Sequence, residues 1–407
     1  MSLPAAVSPD CCIIGGGIIG LSIARELAGR GRRVRVVARE RRRATASWAA
    51  AGIFPPAPES DEPTRALTAL SDRLHREWAR ELRDETGIDN GLVACGGLHL
   101  AVDEARLEAL RPVAAEWRSR GARCEWLSAA GVAEAEPALA GAVAARRVEG
   151  GFLLTDEQRI RSPRHLEALE ASCLARGVVI DHETAVTRIE VGGGRVRGLW
   201  VESPRGRQTV VADCYVLAAG AWTGDLATVF GLRLETRPIR GQIALLRLPR
   251  QPLTRIVNRG LDYLVPREDG RLLVGSTLED AGFDATTVPD EIDRLLAVAA
   301  DLLGEVAAAT VEQTWAGLRP GSVDGQPLIG RAPACDNAFV AGGHFRAGLH
   351  QSTGTAVIVA DLIEGRRPPL AIAAFAPDRM PGPAGPDSVA VYLARAAAER
   401  GARVAGR

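Results

Sequence analysis

The sequence predicts an α/β fold in which a parallel sheet wrapped by helices stands beside a β-rich second unit. Three observations predict it. A short apolar run, Cys11 to Ile14, passes straight into Gly15-x-Gly17-x-x-Gly20 and then into a helical pattern, the strand-turn-helix entry of a dinucleotide-binding unit. Residues 184 to 212 read as a three-stranded meander, and 233 to 278 as a further β-rich segment. Late in the chain a second apolar strand, Ala338 to Ala341, meets the glycine-rich joint Gly342-Gly-His344-Phe-Arg346-Ala-Gly348 before a helix that starts near Ser352. Two such joints so far apart imply that one long cofactor spans both.

Each glycine of the first joint has a local reason. Gly15 permits the tight turn, Gly17 lets backbone N–H groups approach a pyrophosphate, and Gly20 lets the helix lie close to the strand. The phosphate belongs at the helix N-terminus, where unpaired N–H groups and the helix dipole favour an anion. Leu21 to Arg30 is the helix, with Leu21, Ala24, Leu27 and Ala28 on one face. Val34 to Val37 is the second strand, after which an acid is expected to bind the adenosine ribose. Ala38-Arg39-Glu40 stands there, so the acid is displaced by two residues or missing, and a nicotinamide-dependent reading loses one support.

Thr45 to Ile53 is a run of small residues around Ser47, a packed loop or a helix start, ahead of Pro55, Pro56 and Pro58. Residues 64 to 86 have helical spacing, with Leu67, Leu70, Leu74 and Trp78 as a core-facing stripe. Gly96 to Val102 is a strand whose His99 reads as structural, and 103 to 120 a second amphipathic helix. Asp156 to Arg161 is extended and leads into a helix capped by Ser162, with Pro163 at the first helical position. Cys214 to Trp222 is an apolar strand running into small residues and Gly220, where the backbone approaches a ligand or a buried strand simply ends. Residues 290 to 304 are helical. Pro368-Pro369 and Pro381-Gly-Pro-Ala-Gly-Pro386 form a breaker-rich linker before an alanine-rich helix, Ser388 to Arg400, to which the sequence assigns no function.

Composition narrows the chemistry. Lys plus Arg and Asp plus Glu number 50 each, which removes any bulk electrostatic argument for nucleic acid. All 50 cations are arginine. Without a lysine there is no Schiff base and no Gly-Lys-Ser/Thr phosphate loop. Seven scattered cysteines, none in a C-x-x-C pair, predict neither a metal site nor a disulfide framework but buried thiols in a reducing cytoplasm. No charged-then-apolar leader and no run of eighteen apolar residues is seen, so a cytoplasmic protein without a membrane span is expected.

Five motifs occur in order: Gly15-Gly-Gly-Ile-Ile-Gly20; Ser47-Trp-Ala-Ala-Ala-Gly52; Tyr263-Leu-Val-Pro-Arg267 with Gly275-Ser-Thr; Trp315-Ala-Gly-Leu-Arg-Pro320 with Asp324-Gly-Gln-Pro; and Gly343-His-Phe-Arg-Ala-Gly348. Over about residues 10 to 370 the chain resembles the D-amino-acid oxidase (DAO) family of flavoproteins, most closely its glycine oxidase branch associated with thiamine biosynthesis. The resemblance implies a Rossmann-like FAD-binding domain with a β-rich (α+β) substrate domain, in the DAO/glutathione-reductase-like superfamily. The FAD domain is expected to be discontinuous, from residues 1–85, 150–230 and 314–372, with 86–149 and 231–313 binding substrate and 373–407 as linker and terminal helix.

The resemblance also implies roles. FAD, held without a covalent bond, contacts Gly15, Gly17, Ile18, Ile19 and Gly20 at its pyrophosphate, and Ser47, Ala49, Ala50 and Gly52 beside the flavin. Ala38 replaces the family's ribose-binding Glu, which leaves Arg39 and the backbone near Val186, with Ala219, Gly220 and Trp222, to hold the nucleotide. The last joint supplies Gly343, His344, Arg346, Ala347, Gly348, Leu349, His350 and Gln351, with His350 balanced between a site role and a structural one. Arg319 is similar to the family's carboxylate-binding arginine, Tyr263 shares that carboxylate, and Arg346 lies close to the flavin. Ile53 and Leu278 suggest an apolar substrate lining. The implied reaction is oxidative deamination of a small amino acid by molecular oxygen. A D-amino-acid dehydrogenase passing electrons to a quinone is the alternative, and a homo-oligomer is compatible with either.

Overall fold

The computed structural model describes residues 8–39, 45–250, 252–383, 385 and 388–405. Six strands form the first sheet, in the order Leu328–Arg331, Ala338–Gly342, Cys214–Leu217, Cys11–Ile14, Val34–Val37, Val179–Asp181. Neighbours run parallel except for the first pair. Because successive side chains of a strand point to opposite faces, Cys11, Ile13, Val34 and Val36 enter a helix layer with Ile23, Leu27, Leu67 and Ile358. Cys12, Ile14, Val37 and Tyr215 point the other way and meet Ile189, Leu199 and Val201 of the meander formed by Ala185–Gly192, Arg195–Ser203 and Gly206–Val210. With both faces covered, the central strands Cys11–Ile14 and Cys214–Leu217 read as unbroken apolar runs rather than alternating ones.

The second sheet has eight strands: Thr310–Ser322, Thr236–Arg247, Arg271–Gly275, Asp262–Pro266, Ile256–Arg259, Gly97–Ala101, Gly150–Leu154 and Cys124–Ser128. Its outer face, including Leu98, Leu246, Val257, Leu264 and Val274, packs on helix Pro289–Leu302 through Ile292, Leu295 and Ala299. On its inner face Ile243, Ile256, Tyr263, Val265 and Leu273 meet Ala51 and Ile53. Register fixes a row across that face: His99, Asn258, Tyr263, Gly275, Ile243 and Trp315 are successive direct partners. Gly317 and Arg319 follow Trp315 at a spacing of two and stay on the same side.

Two local expectations change, and the terminal helix gains a place. The buried face of helix Pro63–Thr86 is Leu67, Ser71, His75, Trp78 and Leu82, while Leu70 and Leu74 are only half-buried. It carries polar groups because the helix packs on the glycine-rich joint as well as on core, with His75 beneath Leu349 and His350. Ser162 is the first helical residue of Ser162–Ala175 and not its cap; its hydroxyl donates instead to the Ala50 carbonyl at 2.8 Å. The C-terminal helix, Val389–Ala405, is docked, with Val389 and Ala396 against Ile239, Leu278 and Phe345. Among the described residues no helix is long and apolar enough to cross a membrane, and no group of three side chains suits a metal ion.

Candidate active site and cofactor cleft

A cavity of about 1270 Å³ is lined by residues of both sheets. One part of it is made of backbone. At Gly15, with φ +123°, an added Cβ would lie 2.2 Å from the Ala218 carbonyl oxygen; at Gly20 it would lie 1.9 Å from that of Gly15. These two glycines let the strand, its neighbour and the first helix close on one another. Gly15, Gly17, Ile18 and Ile19 line the cavity, whereas Gly20 sits behind it as a packing residue. Helix Ile18–Gly29 starts at Gly17 with no side-chain cap and no acidic residue in its first turn, and Ser47 Oγ accepts from the Ile18 N–H at 2.9 Å.

The loop after Ser47 is held by four successive carbonyls, each taken by a distant donor. Ala49 accepts from Trp315 Nε1 (3.2 Å), Ala50 from Ser162 Oγ (2.8 Å), Ala51 from Arg267 Nη2 (2.8 Å) and Gly52 from the Ile160 N–H (2.8 Å). Trp48 adds an edge-on contact with Trp315, ring centroids 5.3 Å apart. A loop of alanines is thereby fixed between the sheets, and Ser47, Ala49, Ala50, Gly52 and Ile53 line the cavity.

The last glycine joint closes the same space. Gly343 makes the turn at φ +71° with Leu328 and Ser322 behind it and does not line the cavity, while His344, Arg346, Ala347, Gly348, Leu349, His350 and Gln351 do. Burial pulls the His344 imidazole down to about 3, so it is neutral, and its Nε2 lies 3.0 Å from Thr355 Oγ1. His350 stacks on Phe54 at 4.2 Å, and its Nε2 lies 3.4 Å from Asp72. Burial alone would raise the Asp72 carboxyl, but the hydrogen bond and charge of His350, helped by Arg76, bring it down to about 2. His75 Nε2 sits 3.0 Å from the carbonyls of both Leu349 and His350, which makes it the protonated nitrogen. Gln351 donates to Thr68 Oγ1 at 3.0 Å, and its buried Oε1 has no partner. Unsatisfied buried acceptors are rare.

Free donors at a helix terminus, an unpartnered acceptor at Gln351 and a cleft of this volume fit a dinucleotide. At the end of the second strand Ala38 is buried, and the Arg39 guanidinium lies 4.1 Å over the Trp222 ring, with Val186, Ala219 and Gly220 lining the same stretch. Glu40 lies outside the described residues. None of the seven cysteines lines the cavity.

The other part of the cavity is made of side chains. Arg319 Nη2 donates to Ser276 Oγ at 2.8 Å and Nη1 to the Thr277 carbonyl at 3.3 Å. An added Cβ on Gly241 would lie 2.0 Å from Arg319 Nη1, and one on Gly275 would lie 2.7 Å from the Tyr263 ring, so two bare glycines make room for both groups. Burial lowers the Arg319 pKa; Tyr263 opposes that shift, and the neighbouring Arg346 cation adds to it. Among the described residues no carboxylate lies within ion-pair distance of Arg319. Leu278 does not line this part: it lies under the C-terminal helix, and Leu261 supplies the apolar wall.

The family profile described as FAD dependent oxidoreductase (DAO) matches residues 10–362. The chain belongs to this family. The glycine oxidase of Pseudomonas aeruginosa is 36% identical over 376 residues, covering 91% of this chain and 99% of the relative. The crystal structure of glycine oxidase from Geobacillus kaustophilus matches with a TM-score of 0.84 and 32% identity, over 92% of this chain and all of that one. The D-amino acid dehydrogenase of Cereibacter sphaeroides is 31% identical over 318 residues, 76% of this chain and 71% of the relative. This DAO-family chain is an FAD-dependent amino-acid oxidoreductase, with a Rossmann-like FAD domain and a β-rich substrate domain.

Several features of the site lie beyond what the motifs declare. Arg267 and Trp315 stand inside quoted motifs and Ser162 at a helix start, but their work as tethers, through hydrogen bonds to a remote loop, is visible only in the structure. His99 pairs with Glu157 Oε2 at 2.9 Å and stacks on Phe152 as a structural histidine would, yet it also lines the cavity with Asn258. Only the cross-strand register puts it in the row of Tyr263.

Proposed function

We propose that the chain oxidises a small amino acid, glycine, sarcosine or a small D-amino acid, to the imine, which water converts to the α-oxo acid and ammonia (methylamine in the case of sarcosine), with molecular oxygen reduced to hydrogen peroxide. The observation that carries this reading is Arg319. A partly buried guanidinium with a hydroxyl, a carbonyl and a phenol beside it, a second cation near it and no ion-pair partner among the described residues invites an anion, and a planar carboxylate meets it with two parallel hydrogen bonds. Bound FAD supplies the two-electron acceptor. The protein's task is positioning: Arg319 and Tyr263 hold the carboxylate, and the tethered alanine loop with Ile53 and Leu261 fixes the α-carbon and excludes water. The neutral amine needs no side-chain base under this arrangement. The glycine turn and the last joint serve the FAD domain (1–85, 150–230, 314–372), and the sheet residues of 86–149 and 231–313 serve the substrate together with Arg319, whose strand Thr310–Ser322 crosses that boundary into the eight-stranded sheet, as Gly150–Leu154 also does.

A second reading is favoured by the dehydrogenase relative: the same half-reaction with electrons passed to a quinone or another acceptor. A screen of glycine, sarcosine and D-amino acids under air, following peroxide release and flavin bleaching together, separates the two. Bleaching with peroxide supports the oxidase; anaerobic bleaching with no peroxide on admitting air selects the dehydrogenase; no bleaching by any amine sinks both.

A further inference from the structure

Helix Val389–Ala405 lies beyond the stretch matched to the family, and it is nonetheless part of the cavity wall. Its Tyr392 lines the cavity. The Tyr392 ring lies 4.4 Å from the Arg346 guanidinium carbon and meets Phe345 edge-on at 5.6 Å. The helix is seated on the residues that flank the proposed carboxylate site. Val389 and Ala396 are buried against Ile239, Leu278 and Phe345, with Leu261 and Leu393 at the margin. Two glycines accept it: an added Cβ on Gly321 would lie 2.3 Å from Val389 Cγ2, and one on Gly260 would lie 2.6 Å from Glu399 Oε1. The segment leading to it is tied down at Asp324, which receives two hydrogen bonds from Arg379 Nη2, at 2.9 and 3.0 Å, and one from the Gly382 N–H at 3.3 Å.

We propose that Tyr392 is a specificity-determining and positioning residue of the substrate site: its ring holds the Arg346 guanidinium in place and closes the cavity against substrates with large side chains. The proposal rests on the reading of Arg319 and Tyr263 as the carboxylate site. An aromatic face is the partner that chemistry favours here. It attracts a cation through its quadrupole without neutralising it, whereas a carboxylate beside Arg346 would cancel its charge and compete with the substrate for Arg319. Arg346 makes no hydrogen bond or ion pair among the described residues, and the Tyr392 ring is the contact the structure gives its guanidinium. Bulk at Tyr392 and Leu261, both lining the cavity, then restricts the room beyond the carboxylate.

The test uses the full-length holoenzyme and its Tyr392→Phe and Tyr392→Ala variants, with two readouts. Acetate and benzoate are titrated against oxidised flavin absorbance, and kcat/KM is measured for glycine and D-leucine with an artificial electron acceptor. Tyr392→Ala should improve benzoate over acetate binding, and D-leucine over glycine turnover, by about tenfold. Tyr392→Phe, which keeps ring and bulk, should stay within about twofold of wild type. A purely structural role predicts a lower melting temperature with both ratios unchanged, and that result overturns the proposal, as does a Phe variant that behaves like Ala. If wild type binds acetate and turns over glycine while the ratios stay fixed, only Tyr392 loses its role; if no form binds a carboxylate, the carboxylate site itself fails and Tyr392 with it.

Discussion

The two parts of the cavity are built on opposite plans. The part we assign to the nucleotide is backbone: Gly15 and Gly17, a helix terminus and a loop with four successive carbonyls engaged elsewhere. The part we assign to the substrate is side chains, Arg319 and Tyr263, carried on strands far apart in sequence and converging over Gly241 and Gly275. Backbone sites fail through geometry, because one added methyl group disturbs the whole cradle. Side-chain sites fail through chemistry and leave the fold intact.

The largest expected effect follows on the backbone side. Gly15→Ala puts a Cβ 2.2 Å from the Ala218 carbonyl at a φ of +123°, so the protein should purify without flavin and with a lowered melting temperature. Gly17→Ala meets only Ser47 Oγ, at 3.1 Å, and should weaken FAD binding while sparing the melting temperature. Equal behaviour of the two variants in flavin absorbance and thermal melting would break the contrast.

On the side-chain side, Arg319→Met should retain full flavin content and lose about 4 kcal/mol of transition-state binding, roughly a thousandfold in kcat/KM for the amine. Steady-state kinetics beside a flavin absorbance ratio decides it. A variant that loses flavin together with activity would place Arg319 in the nucleotide part of the cavity instead.

Acid should also strike the two parts unequally. His75, His165 and His344 are buried and held neutral, their pKa values lowered by burial, to about 3 for His165 and His344. The unfolded chain binds those protons below about pH 6.5 and the native one does not, so stability is full above that pH. It falls by about 1.4 kcal/mol per pH unit per histidine as pH drops from 6.5 toward 3. Asp72, stabilising above about 3.8, adds its own loss between there and about 2. Because His75 and His344 support the last glycine joint, flavin release should precede global unfolding in an acid titration followed by flavin fluorescence and circular dichroism. Coincident transitions would argue against a local acid effect at the joint.

The same division explains what could be read in advance. Gly15-x-Gly17-x-x-Gly20 declares its strand, turn and helix because all of its constraints lie within ten residues. Apolar runs such as Cys11 to Ile14 declare burial on both faces. The inner row of the eight-stranded sheet does not declare itself: His99 and Asn258 are neighbours of Tyr263 only by cross-strand register, which no local pattern encodes. Ser162 looked like a helix cap because its own turn suits one, but a remote carbonyl at Ala50 took its hydroxyl. Leu278 was displaced from the cavity by a helix more than a hundred residues later in the chain.

Tyr263→Phe tests the smallest and sharpest part of the comparison. The hydroxyl is the only atom removed, and the ring that fills the space over Gly275 remains, so neither fold nor flavin binding has reason to change. If the phenol shares the carboxylate with Arg319, one hydrogen bond to a charged group is lost, worth about 1.5 kcal/mol, and KM for glycine should rise about tenfold with kcat nearly kept. If instead kcat falls while KM holds, the hydroxyl acts only as the transition state forms, and Tyr263 belongs to the chemistry more than to binding. A variant indistinguishable from wild type would leave Arg319 to hold the carboxylate alone, with the tyrosine serving only to shield its charge from water.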